Sequence, residues 1–235
     1  DLPPFSFFLN RLERWTSKHS FLHIVPSFSR YEWRTTNMMP LRNTPLRKDF
    51  EKANSTANTT SSNVLVVYAN GWLGETRGAP VFLDLANKLL SAGAAVRFII
   101  AGRVDSAAGR ALIQHPLVSF HGEVEQVMAL AFYRQSHVVL TFYDPKVAIN
   151  RKAESNKWGD CVFFGIPFIV NNEVETALPF IQAGAAFASD YNDVEALSHL
   201  VMELSTNRAK LKTASERILT FRSDYPIFDD QLSNL

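Results

Sequence analysis

From residue 64 onward the chain repeats one unit, a short apolar run followed by a segment with helical spacing. The runs "VLVVYA" (64–69), "AVRFIIAG" (95–102), "LVSFHG" (117–122), "VVLTFY" (138–143), "PFIV" (167–170) and "AAFAS" (185–189) read as buried strands. Between them, "PVFLDLANKLLSAG" (80–93) carries apolar residues at helical spacing and stops at Gly93. Helical patterns follow at 105–115, 124–136, around 156–164 and near 174–183. Two more close the chain, "DVEALSHLVMELSTN" and "RAKLKTASERILTFR". Strands that alternate with helices pair in parallel, and right-handed crossovers put helices on both faces of the sheet. The expected fold is therefore α/β, a Rossmann-like doubly wound parallel sheet.

Composition limits the partners. The 235 residues are 46% hydrophobic and 20% charged, which suits a globular core. A formal net charge of +1 gives no global field for nucleic acid or a membrane surface. One cysteine, Cys161, excludes an internal disulfide framework. The histidines show no metal-ligand spacing, and no cofactor or metal is expected. No apolar run is long enough to span a bilayer. The chain opens on Asp1 without a methionine, and the expectation is a piece of a longer protein.

The residues before the alternating part form a short helix–strand appendage. "FSFFLNRLERWTSKH" (5–19) reads as an amphipathic helix and "FLHIV" (21–25) as a strand. Ser27 is placed as the cap of a short helix over 28–38, and "PLRNTP" (40–45) as extended. The Ser/Thr/Asn-rich segment 47–63 lacks apolar periodicity and reads as a linker or exposed loop. It holds two N-x-S/T patterns, at Asn54 and Asn58.

In open parallel sheets ligands sit beyond the carboxyl ends of the strands. After the first strand comes "NGWLGETRGAP" (70–80), in which Gly71, Gly74 and Gly78 permit close backbone approach and Arg77 precedes a helix. Such a loop is a ready anion site. It is neither G-x-G-x-x-G nor a Walker A loop. After the fourth strand, "AESNKWGDCVFFGIPFIV" (153–170) puts Glu154, Ser155, Asn156, Lys157 and Asp160 at a helix start. A lysine in the first turn opposes the helix dipole unless an anion also sits there. The plain alternative is a surface ion pair between Lys157 and Asp160, three residues apart. Arg77 and Lys157 each follow a strand and open a helix, so both are placed on one diphosphate. His121 beside Gly122 and Glu123 is a weaker candidate, since a lone histidine at a strand end is more often structural.

These stretches, with "RFIIAGR", "VSFHGEV" and "VVLTFYDP", resemble the C-terminal, donor-binding domain of GT-B glycosyltransferases, nearest to the family 4-like enzymes. The resemblance covers about residues 63–205. It implies that Gly74, Arg77, Gly78, Asn156 and Lys157 hold the donor diphosphate and that Asp160 holds the ribose hydroxyls. It also implies that His121, Gly122, Glu123 and Val124 lie against the base, with Glu154 and Ser155 near the sugar. Residues 1–46 then look like the tail of an N-terminal acceptor domain with its crossover. Residues 47–63 are the linker, 64–205 the donor domain, and 206–235 helices that pack back on the N-terminal part. The implied activity is transfer of a hexose from a UDP- or GDP-sugar to a hydroxyl acceptor, a saccharide or glycolipid. An N-terminal acceptor domain or partner subunit is implied as well, and work in the cytoplasm or on the cytoplasmic membrane face.

One departure bears on the sugar. Many family 4 enzymes carry Glu-x7-Glu, and counting back from Asp160 the first position is Lys152, with Glu154 out of register. The alternatives are a non-catalytic nucleotide-sugar-binding module, a sugar-nucleotide epimerase, which shares the two-domain architecture, and a plain flavodoxin-like interaction domain.

Overall fold

The structure, a computed structural model, describes residues 3–28, 31–55 and 63–233, with side chains in the first helix from Phe7 onward. Six strands form one parallel sheet: β3 (Leu65–Asn70), β4 (Val96–Ala101), β5 (Val118–Phe120), β6 (Val138–Thr141), β7 (Phe168–Asn171) and β8 (Ala186–Ser189). Their order is β5-β4-β3-β6-β7-β8, and every neighbouring pair is parallel. The chain winds outward one way from β3, then returns and winds the other way from β6. The crevice between β3 and β6 is the switch point where doubly wound sheets bind ligands.

The period of two along each strand divides the core. Val66 and Tyr68 of β3 point to one face, where they join Val139, Phe168, Val170 and Trp158. Leu65, Val67 and Ala69 point to the other, with Phe98, Ile100, Leu140 and Ile169. Both sets are buried, which is why the strands read as unbroken apolar runs. The first face is covered by α5 (Gln126–Tyr133) and α7 (Asn156–Phe164). The second is covered by α3 (Ala79–Ser91), with α4 (Ala107–Leu112) beside it, and by α9 (Val194–Thr206), while α6 (Ala148–Arg151) is a single turn after β6. Each side chain such as Leu85 or Ile100, fully withdrawn from water, contributes about 1.5–3 kcal/mol.

At the carboxyl edge the turns are laced backbone to backbone. Gly71 N donates to Ala101 O at 2.9 Å, Leu73 N to Arg103 O at 2.8 Å, and Gly102 N to Gly122 O at 2.7 Å. Gly102 has φ +134°, and a Cβ there would collide with the Gly71 carbonyl. Only glycine fits that approach.

The appendage begins with α1 (Pro3–His19), followed by a two-stranded parallel pair, β1 (His23–Val25) and β2 (Met38–Pro40). Of the helix expected over 28–38, the described residues 31–38 form none. Asn37 instead donates to the carbonyls of Ser17 and Ser20, both at 2.6 Å, and its own carbonyl accepts from His23 N at 2.9 Å. The side chain thereby closes a turn that brings β2 alongside β1.

The expected linker is also corrected in part. Arg47–Asn54 is a helix, α2, with Asp49 in its first turn and Lys52 in its last, as the dipole favours. Phe50 packs edge-on against Phe163 and Phe164 at 5.4 and 5.1 Å, and Ala53 is fully buried. Asn58 and the rest of 56–62 lie outside the described residues.

The C-terminal part comprises α8 (Leu178–Gln182), α10 (Arg208–Leu219), a helical turn at Thr220–Ser223 and α11 (Phe228–Leu232). Gln231 of α11 accepts from Arg42 N at 2.7 Å and donates to Thr44 Oγ1 at 2.8 Å. Segment 42–45 runs so close to α7 that a Cβ on Gly159 would strike the Asn43 carbonyl. The tail and the segment before α2 are thus fastened together at the mouth of the β3–β6 crevice.

Candidate functional site

A cleft of about 490 Å³ opens at this crevice, with Asn70, Arg77, Tyr143, Asn156 and Lys157 on its wall and Asn43 at its rim. Its floor is rigid. Tyr143 N donates to Asn171 Oδ1 at 2.9 Å, and Asn171 Nδ2 returns a bond to Tyr143 O at 3.1 Å. The Tyr143 hydroxyl donates toward Ser155 Oγ at 2.8 Å, and Ser155 caps α7 by accepting from Lys157 N. The loop after β3 is tied to the loop after β6 through Thr76 O. That carbonyl accepts from Asp144 N at 3.1 Å and from Asn150 Nδ2 at 3.3 Å.

Two cations converge over this floor. The Arg77 guanidinium lies 5.3 Å from the Tyr143 ring centre and 5.9 Å from that of Trp72. Lys157 Nζ lies 6.0 Å from the same tyrosine ring and packs against Gly71, where a Cβ would sit 3.5 Å away. Gly71 and Gly78 have φ +95° and +85°, and Gly78 is the N-cap of α3, where a Cβ would strike Phe82 and Phe142. Gly74 lies flat on Trp72, whose Nε1 donates to Asp105 at 2.6 Å. Among the described residues neither Arg77 nor Lys157 forms an ion pair. Asn70 Oδ1, at the end of β3, is buried with no hydrogen-bond partner. The cleft therefore offers two uncompensated positive charges, an unfilled acceptor and the amino end of α7, an arrangement suited to a polyanion with hydroxyl groups.

The remaining sequence candidates are distributed differently. The ion pair weighed for Lys157 and Asp160 is absent. Asp160 points under the floor, 6% exposed, where the Tyr133 hydroxyl donates to it at 3.1 Å. Burial pushes its carboxyl up to about 7, with the Tyr133 bond and Lys157 pulling the other way. It is no part of the cleft wall, so direct contact with a ribose is not what this conformation offers. Asp160 lies in the buried run Trp158–Val162 of α7, and the Tyr133 hydroxyl holds its carboxyl on the inner side of the helix.

Glu154 reaches the cleft, but its carboxylate is already engaged. Arg42 pairs with it at 2.7 Å and the Tyr225 hydroxyl donates to it at 3.1 Å. Burial raises its carboxyl while Arg42 lowers it, with burial the larger effect. Ser155 is buried as the helix cap. Asn156 is exposed at the first helical position on the cleft wall. His121, Glu123 and half-buried Val124 follow β5 outside the cleft. The His121 ring rests on Phe132 at 4.5 Å and its Nε2 shares a hydrogen with Ser119 at 3.2 Å. Gly122, φ +67°, faces open space. Lys152 pairs with Glu32 at 3.3 Å.

Sequence reasoning overlooked Tyr143, Trp72, Asn70 and Asn43. An aromatic ring after a strand and ahead of two basic loops was a visible signal for Tyr143. Nothing local marks Asn43, which arrives from the crossover side. No helix among the described residues is long and apolar enough to cross a membrane.

No family model matches the sequence, and no curated protein sequence matches it. Solved structures do. TarM is 12% identical with a TM-score of 0.62, over 94% of this chain and 44% of that one. HepE from Anabaena, solved with UDP and glucose, is 14% identical with a TM-score of 0.64, over 96% of this chain and 67% of that one. The C-terminal domain of a glycosyl transferase group 1 family protein from Francisella tularensis is 9% identical with a TM-score of 0.55. The match covers 77% of this chain and 94% of that domain. The fold is that of the GT-B C-terminal domain. The chain spans about half the length of the first structures it matches.

Proposed function

We propose that this chain is the donor-binding half of a GT-B glycosyltransferase, which transfers a hexose from UDP- or GDP-sugar to a hydroxyl acceptor. One observation carries the reading: Arg77 and Lys157 meet over Tyr143, without carboxylate partners, at the switch point of a GT-B-type sheet. Charge builds on the departing diphosphate as the sugar–phosphate bond breaks. Two fixed cations and the α7 amino end stabilise that charge more than the ground state. Glycines 71, 74 and 78 let the backbone approach the phosphates. The base extends toward the His121–Val124 turn, where Gly122 leaves room. The sugar hydroxyls fall to Asn43, Asn150 and Asn156. Asp160 acts from below, through Tyr133 and Lys157. No cofactor is required. The acceptor, a saccharide or glycolipid, belongs to an N-terminal domain or partner subunit. The exposed Phe7, Phe8 and Trp15 of α1 are a fitting surface for it. The Phe5 side chain lies outside the described residues. This reading puts the protein in the cytoplasm or on the cytoplasmic membrane face.

Titration calorimetry with UDP and GDP tests the donor site. Arg77→Ala and Lys157→Ala should each weaken binding by about 1.5–3 kcal/mol, the range for a charge-assisted hydrogen bond. Unchanged affinity in both variants would remove the assignment.

A second reading, a non-catalytic nucleotide-sugar-binding module, has its own support. Lys152 replaces the first carboxylate of the pair, and Glu154 is held by Arg42. Chromatography of UDP released from UDP-sugars in the presence of saccharide acceptors separates the two once an acceptor domain is supplied. On either reading the chain alone should bind nucleotide without acceptor-dependent release, because one domain cannot align two substrates. Adding the cognate acceptor domain should restore release at about 1–1,000 per second only for the transferase.

A further inference from the structure

A second basic cavity, of about 550 Å³, lies at the opposite, amino-terminal edge of the sheet. It is entered beside Ser136 and His137, just before β6, and beside Pro167, just before β7. Strand β6, roughly 13 Å of sheet, runs between it and the donor cleft, and α7 spans the same gap from Lys157 to Phe163. Arg134, His137, Arg208, Lys212 and Arg222 line it, and no Asp or Glu does.

These cations are poorly satisfied. Both terminal nitrogens of Arg208 are buried with no hydrogen-bond partner, and so is Arg134 Nε. A guanidinium shut away from water without an acceptor is costly, and folds rarely keep one without a counter-charge. Arg222 is partly engaged, donating to Phe163 O at 2.7 Å, and Arg134 Nη1 donates to Asn54. His137 accepts from Val66 N on Nδ1 at 3.0 Å, which leaves its proton on Nε2. Burial and the nearby Arg208 push its pKa down to about 4, so the ring is a neutral donor. Phe50 and Phe163, edge to face at 5.4 Å, form an apolar wall beside the charges.

We propose that this cavity binds a small organic phosphate monoester, with Arg134, Arg208 and Lys212 on the phosphate and Phe50 and Phe163 against its organic body. The flexible stem of Arg208 lets its fork turn to the phosphate oxygens, which supply the acceptors that the fold withholds. The inference is independent of the donor cleft and stands whether or not the chain transfers sugar.

Calorimetry with phenyl phosphate and with inorganic phosphate, at constant ionic strength set by chloride, tests it. Wild-type protein should bind phenyl phosphate saturably and more tightly than inorganic phosphate. Arg208→Gln should weaken phenyl phosphate at least tenfold, and Lys212→Gln severalfold. Lys157→Ala should leave this binding within twofold, which sets it apart from the diphosphate cleft. Lys212 is exposed, so its variant carries the test if Arg208→Gln fails to fold by circular dichroism. Absence of saturable binding, heats reproduced by added chloride, or loss in Lys157→Ala with retention in Arg208→Gln or Lys212→Gln would each overturn the proposal.

Discussion

Replacing Asp160 with asparagine should make the protein more stable at pH 8 and remove most of its loss of stability between about pH 4 and pH 7. Burial holds the Asp160 carboxyl at about 7 in the folded state, against about 3.9 in an unfolded chain. The fold thus prefers the neutral acid. Its contribution is fully present below about pH 4 and is lost as the pH rises through 7, where a carboxylate is left in the core. At about 1.4 kcal/mol per pH unit, the interval is worth about 4 kcal/mol. Asparagine matches the neutral shape and can still accept from the Tyr133 hydroxyl. Urea unfolding of both proteins at pH 5, 6, 7 and 8 gives the comparison. Parallel stability curves would show that Asp160 is ionised throughout, and hence wetter than its burial implies. A diphosphate on Lys157 would favour the same neutral state, so nucleotide affinity in the variant should fall less above pH 7 than in the wild type.

The next largest effect should come from Trp158→Ala, at about 3–5 kcal/mol. Trp158 is fully buried, stacked on Phe168 at 5.5 Å and beside Phe180 at 5.9 Å. Alanine would leave a void in a layer of close-packed rings that cannot collapse around it. Trp158→Phe should cost far less, about 1.5 kcal/mol or under. The indole Nε1–H is buried without an acceptor, so phenylalanine removes a donor that the fold leaves unsatisfied. The pair of variants therefore separates volume from polarity, and equal losses in thermal unfolding would contradict the packing account. Function follows the same link. Trp158 is the next residue to Lys157 and anchors the turn that aims it, so Trp158→Ala should also weaken UDP binding in whatever folded fraction remains.

The main sheet was legible because its signal is local. Runs such as "VLVVYA" and "AVRFIIAG" are short, β-branched and buried on both faces, and only a parallel sheet coated with helices uses many of them. Arg77 and Lys157 were legible for a related reason, since each is a cation where a helix dipole disfavours one. The helix at 47–54 escaped because its inward face is two residues, half-buried Phe50 and buried Ala53, too few to set a period. Residues 28–38 misled because the bonds of Asn37 to Ser17 and Ser20 arise only once the chain has turned back.

The sequence by itself determined the layers, the strand set and the two loops that carry charge, because apolar period and glycine position are properties of neighbours. Tertiary structure alone decided what those charges face. It sent Asp160 under the floor and set Tyr143 beneath both cations. It joined Arg42 to Glu154 across 112 residues and gathered Arg134, His137 and Arg208 around one cavity at the far edge. Burial and pairing are set by which distant segments pack together, and no spacing along the chain records that.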